Sequence, residues 1–172
     1  MVVVVMGVTG SGKTTVGRLL AMQLRWEFAD ADDFHSAANK EKIRHGIALT
    51  DADREPWLAA LRDQISHWIA AKKNVVLACS ALKKSYREQL RVGNEVKFVY
   101  LKGTYDLIAA RLAHRKGHFA DEHILASQFA TLEEPSEAIV VDIHPSPEAI
   151  VAEICRRLGL SPAASAATQP QK

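Results

Sequence analysis

The stretch VVVVMGVTGSGKTT, residues 2–15, joins a β-branched apolar run to three glycines, a lysine and the pair Thr14-Thr15. Val2–Met6 has the composition of a strand. TTVGRLLAMQL, which follows Lys13, carries helical periodicity. Between them Gly7-Val8-Thr9-Gly10-Ser11-Gly12-Lys13-Thr14 matches G-x-x-x-x-G-K-[ST] at every fixed position. Glycines let backbone N–H groups converge on phosphate oxygens without interference from a Cβ. The start of the following helix adds its positive dipole end at the same spot. Lys13 is placed to reach the β- and γ-phosphates, and the Thr14 hydroxyl to ligate Mg²⁺. Strand, loop and helix in that order predict binding of a nucleoside triphosphate, but leave its phosphate acceptor open.

The rest of the chain extends this unit into a sheet. Apolar, β-branched segments at Val2–Met6, Trp26–Asp30, Asn74–Cys79, Val96–Leu101 and Ala138–Val141 alternate with helical patterns. Such alternation predicts an α/β domain, a five-stranded parallel sheet with helices on both faces. Strands buried on two sides read as near-continuous apolar runs, as NVVLAC and AIVV do. The clearest helix runs from about Arg54 to Lys72, with Trp57, Leu58, Leu61, Ile65, Trp68 and Ile69 at helical spacing and Asp53 as its expected cap. Its tryptophans are expected in packing, not as a base-stacking platform.

With 172 residues the chain is one domain, expected over residues 1–160. The tail SPAASAATQPQK, residues 161–172, has no large apolar residue and is expected to be disordered. A formal charge of +2 without any basic block argues against nucleic acid as a partner. The early apolar run is too short for a signal or membrane helix, so a cytoplasmic protein with no membrane partner is expected. Cys79 and Cys155 lie in apolar segments and are expected as buried thiols.

Three further stretches carry chemistry. FADADDFH, residues 28–35, places Asp30, Asp32 and His35 where an open parallel sheet binds its ligands, beyond the strands' carboxyl ends. One carboxylate there can take the proton of an attacking hydroxyl, and another can hold Mg²⁺ through its water shell; Asp33 is a candidate for capping alone. ACSALKKSYREQL, residues 78–90, sets Lys83 and Arg87 four apart, on one face of a helix, where they can meet an anionic acceptor. ARLAHRKGHF, residues 110–119, sets Arg111 and Arg115 on consecutive turns before Gly117, as suits a lid over about 115–130 that neutralises charge and excludes water. His114, His118 and His123 have no accompanying cysteine and are not read as a metal site. Guanine recognition by N-K-x-D is missing, since Asn39-Lys40-Glu41-Lys42 lacks the aspartate.

These pieces together resemble the gluconokinases, ATP-dependent sugar-acid kinases of the P-loop class. The resemblance runs to about Leu158 and is carried by GVTGSGKTT, DADDFH, NKEKIRHGIALTDADREPWL, CSALKKSYR, YLKG, RKGHF, SQFATLEEP and VVDI. It implies a P-loop NTPase fold with a helical lid, and phosphorylation of D-gluconate at its terminal hydroxyl using ATP and Mg²⁺. It also implies that Gly7, Val8, Thr9, Gly10, Ser11, Gly12, Lys13, Thr14 and Thr15 hold the ATP phosphates, and that Asp32 and His35 face the sugar acid. Arg54, Lys83 and Arg87 are the matched positions for its carboxylate and hydroxyls, with Gln128 on the lid side. Lys13, Asp32, Arg111 and Arg115 are then the catalytic set, Thr14 and Asp30 the metal pair, and a cytoplasmic homodimer the expected assembly. The chain departs from the family at Ala31, usually glycine, at Ala120-Asp121-Glu122, where Met-Pro is common, and at His144-Pro145, where Asp-Gln is frequent. The rivals are a shikimate or nucleoside-monophosphate kinase and a nucleotide-dependent switch; no adjacent glycines mark the former here.

Overall fold

Val2–Met6 (β1) forms the middle strand of a parallel sheet whose other members are Glu27–Asp30 (β2), Val75–Ala78 (β3), Val96–Lys102 (β4) and Ile139–Asp142 (β5), in the order β2-β3-β1-β4-β5. The computed structural model describes the backbone of residues 1–114 and 118–163. Its helices are Lys13–Leu24 (α1), Ala37–Arg44 (α2), Asp51–Ala70 (α3), Lys84–Leu90 (α4), Tyr105–Ala113 (α5), His118–Thr131 (α6) and Pro147–Leu158 (α7).

Successive side chains of a strand point to opposite faces, and here both faces are covered. Val3 and Val5 enter one core with Val16 and Leu20 of α1, Ile108 and Leu112 of α5, and Ile150 and Ile154 of α7. Val2, Val4 and Met6 enter a second core with Trp57, Leu61 and Ile65 of α3 and Tyr86 and Leu90 of α4. This is why β1 tolerates no polar residue. Cys79 and Cys155 are buried free thiols, and burial pushes the Cys79 thiol up to about 12.

The strands fall where the apolar runs put them, with ends shifted by a residue at most. α3 starts earlier than its periodicity indicates. Thr50, not Asp53, is the cap: the Asp53 N–H donates to Thr50 Oγ1 at 3.1 Å, and the Thr50 N–H donates to Asp53 Oδ2 at 3.0 Å. The two residues form a capping box, so Asp53 sits inside the helix and closes its first turn. Trp57 and Trp68 are both core residues, 4% and 6% exposed. Of the tail, residues 161–163 are described, and the Ala163 N–H donates to Gln23 O at 2.9 Å. No described helix is long and apolar enough to cross a membrane.

Candidate active site

Parallel register brings the carboxyl ends of the central strands to one rim. Asp30 and Val5 are both level with Ala78, and Met6 is level with Tyr100. The loop leaving β1 begins there, its Gly7 N–H donating to Ser80 O at 3.4 Å. It turns back at Gly12, whose φ of 96° is left-handed and whose residue caps α1 with no side-chain bond. The first bond into α1 is from Val16 N–H to Gly12 O, at 2.8 Å. The amides of Lys13, Thr14 and Thr15 therefore have no intrahelical acceptor and are open to an anion at the helix start. Gly10 lets this loop lie on α5, because a Cβ there would stand 2.9 Å from Ile108 and Leu112. The Ser11 hydroxyl is buried with no partner among the described residues. Amides without intrahelical acceptors, a hydroxyl orphaned among the described residues and a lysine fit a polyphosphate.

Lys13 Nζ donates to Val8 O at 2.9 Å. Burial lowers its pKa, and the charges of Asp32, Cys79 and Asp30 oppose that shift. Lys13 and Asp32 thus belong to one electrostatic unit. Asp32 stands in the 3₁₀ turn Ala31–Phe34, which Asp30 caps by accepting from the Asp32 N–H at 3.1 Å. The other Asp30 oxygen accepts from the Thr14 hydroxyl at 3.2 Å. Asp30, rather than Asp33, is therefore the capping aspartate, and it lies beside Thr14 as well. Desolvation raises the pKa of Asp32, Asp30 adds to the rise, and Lys13 opposes it. The Asp33 carbonyl accepts from Lys40 Nζ at 3.1 Å.

His35 continues the rim. Its ring lies flat on Trp57, with centroids 4.5 Å apart and an 11° interplanar angle, and Trp57 Nε1 donates to Ala31 O at 2.7 Å. A cavity of about 370 Å³ opens beside the stack, lined also by Phe34, Asn39, Asp53 and Pro56. Burial, then the charges of Arg54 and Lys40, push His35 down to about 4, so it is neutral at pH 7. An unfolded histidine titrates near 6.5. Between that value and about 4 the unfolded chain binds the proton and the folded one does not, so stability is full above 6.5 and falls as the pH drops. His35→Gln is expected to remove up to about 3 kcal/mol of the acid-dependent loss between pH 7 and pH 4, read from urea unfolding at the two pH values.

Next along the rim stand Arg54 of α3 and Lys83, which caps α4 instead of lying on its face. The Arg54 guanidinium donates to Leu49 O at 2.6 Å and lies 5.9 Å from the Tyr86 ring centroid; Lys83 Nζ lies 5.6 Å from the same ring. Lys83 Nζ donates to both Asp51 oxygens, at 2.9 and 2.8 Å, and the Tyr86 hydroxyl donates to Asp51 Oδ1. The Lys83 bond holds Asp51 below the usual carboxylate range, and the Asp51 bond holds Lys83 above its own. The charge of Arg54 acts on His35 and that of Lys40 on both His35 and Asp32, while Arg54 and Lys83 meet at the Tyr86 ring.

Two expected site residues stand elsewhere. Arg87 is 2% exposed, and it donates to Ala81 O at 3.1 Å, Leu82 O at 3.0 Å and Glu137 Oε1 at 3.1 Å. Those bonds make it a brace for the loop that carries Lys83; the four-residue spacing holds, but the shared face does not, because Lys83 precedes the helix. Arg111 donates to Ile143 O at 2.6 Å, against the loop between β5 and α7 rather than over the cradle. Arg115 and Gly117 lie outside the described residues. Gln128 of α6 reaches the cradle itself, its Oε1 accepting from the Thr9 N–H at 2.6 Å. Lys40, Asp51 and Tyr86 were not anticipated, although LTDADREPWL and CSALKKSYR contain the last two.

The family model described as Shikimate kinase matches residues 9–159. A probable gluconokinase of Mus musculus is 47% identical over 153 residues, covering 78% of this chain and 83% of its own. The thermoresistant gluconokinase of Escherichia coli is 46% identical over 154 residues, covering 87% and 88%. The crystal structure of a gluconokinase from Sinorhizobium meliloti superposes with a TM-score of 0.79 at 38% identity, covering 91% and 94%. A solved shikimate kinase from Aquifex aeolicus, 20% identical with a TM-score of 0.56, shares the fold. On this rim geometry and this degree of identity, the chain belongs to the gluconokinase family of P-loop kinases.

Proposed function

We propose that this chain transfers the γ-phosphoryl group of ATP to the 6-hydroxyl of D-gluconate, giving 6-phosphogluconate and ADP. The observation that carries the reading is the Thr14 hydroxyl's bond to Asp30, which also caps the turn bearing Asp32 and so joins the phosphate cradle to an acidic turn, with the cations Arg54 and Lys83 together at Tyr86. A phosphate donor at one end and a carboxylate-bearing alcohol at the other suit that order of charges.

The residues from Gly7 to Thr15 hold the ATP phosphates, and Lys13 neutralises charge on the transferred group. Thr14 Oγ1 and the Asp30 carboxylate are adjacent hard oxygen donors, which fits Mg²⁺. Among the described residues no cluster of three His, Cys, Asp or Glu offers a larger metal site. When bound, the ion neutralises phosphate charge. Asp32 orients the acceptor hydroxyl and receives its proton, and a raised pKa suits a group that must take a proton near neutrality. His35, Arg54 and Lys83 contact the sugar acid. Arg115 is the proposed lid arginine, and Gln128 ties the lid helix to the cradle. The proposal includes a cytoplasmic homodimer, for which light scattering on the purified chain is the test.

ADP release coupled to a reporter, measured against D-gluconate, other aldonates, shikimate and AMP, tests the reading. Turnover specific to gluconate is expected. Turnover with shikimate or AMP instead, or hydrolysis indifferent to every acceptor, overturns it.

A further inference from the structure

The cations proposed to meet the acceptor already hold a carboxylate. Asp51, the first residue of α3, accepts two bonds from Lys83 Nζ and one from the Tyr86 hydroxyl, and one of its oxygens stands 4.0 Å from Arg54. A sugar acid binding through these same side chains would ask for the same donors. Lys83, Arg54 and the Tyr86 hydroxyl cannot serve two carboxylates fully, so one must yield.

The burial pattern says which. Asp51 is 66% exposed and Lys83 31%. An ion pair so open to water is weakly held, because solvent competes for both partners. Asp51 sits in the first turn of α3, which the Thr50–Asp53 capping box closes, so releasing its side chain breaks none of the bonds that cap the helix. Two cations beside one carboxylate also leave a net positive charge to draw an anion in.

We propose that Asp51 is an internal stand-in for the acceptor's carboxylate: it occupies Lys83 and Tyr86 while the acceptor site is empty and releases them when a sugar acid enters. The inference rests on the gluconokinase reading and adds a determinant of specificity to it. An acid brings a charge that can replace Asp51. A neutral polyol brings only hydroxyls and leaves Asp51 in place.

The test compares wild type with Asp51→Asn, which keeps the size of the side chain and removes its charge. The KM for gluconate is expected to fall about two- to fivefold, the range set by exposed ion pairs. The KM for ATP and the inhibition constant of glucitol, the uncharged relative of gluconate, are expected to stay where they are. An unchanged or raised KM for gluconate would show that Asp51 orients Lys83 for the substrate, and the stand-in would be wrong. An equal fall in the glucitol constant would also overturn it, since relief would then be steric. Should the asparagine variant fold poorly by thermal unfolding, Asp51→Ser carries the same comparison. Wild-type enzyme that does not phosphorylate gluconate at all refutes the underlying function, a result distinct from an active wild type with an unmoved variant.

Discussion

Replacing Lys13 with methionine is expected to lower kcat by about 10²–10³, the cost of removing one preorganised charge-stabilising donor from an active site. Methionine keeps much of the stem's length and apolar contact, so the loss reads the ammonium and not the packing. The ammonium is partly withdrawn from water, donates to Val8 O and feels the charges of Asp32 and Asp30. In such surroundings a charge acts more strongly than in solvent. A second effect follows from the same coupling. Lys13 holds the Asp32 pKa down, so the variant's residual activity should be lost on acidification at a higher pH than in the wild type. Steady-state kinetics across a pH series measure both. A variant retaining near-normal kcat would remove Lys13 from the catalytic set.

Asp32→Asn is expected to reduce kcat by about 10²–10⁴, the usual contribution of a positioned general base, while the KM for ATP changes little. The wild-type rate requires the ionised carboxylate. Desolvation is the largest cause raising its pKa, so activity should be present at neutral pH and decline, as pH falls, above the ordinary aspartate range. The asparagine variant should lose that decline, because no proton remains to be taken up at this position. Persistence of the same acidic limb in the variant would assign it to another group.

Much of the fold was legible because burial on both faces leaves little latitude. A strand such as Val2–Met6, with every residue wholly buried, can only be apolar, and its run marks its own ends. The cradle was legible for a related reason: glycine at positions 7, 10 and 12 and a lysine before a hydroxyl serve few other purposes. Helix ends were less so. Thr50-x-x-Asp53 is itself a capping-box signal, but hydrophobic periodicity begins only with Trp57 and drew the start of α3 too far along. The short α2 is not legible from periodicity because its one buried residue is Asn39, which donates to Asp53 O at 2.7 Å and gives no apolar pattern. The Lys83–Arg87 pair failed for a different reason. Spacing says that two residues share a helix face only if both are in the helix, and it does not distinguish a solvent face from an interior one. Arg87 turned inward to satisfy carbonyls of a tight loop, where Ala81 has a φ of 44°. Asp51 could not be singled out from charge alone, since its importance lies in the partners that α4 brings to it.

The division of β1 between two cores has a consequence for how such an enzyme can change. The helices that support the cradle, α1 and α5, and α7 with them, pack on one side; those that present Arg54, Asp51, Lys83 and Tyr86 pack on the other. Lineages can therefore remodel the acceptor half, exchanging one alcohol for another, while the triphosphate half keeps its grip, because substitutions in separate hydrophobic clusters interact weakly. A single scaffold of this kind is open to new substrates without having to reinvent its energy source.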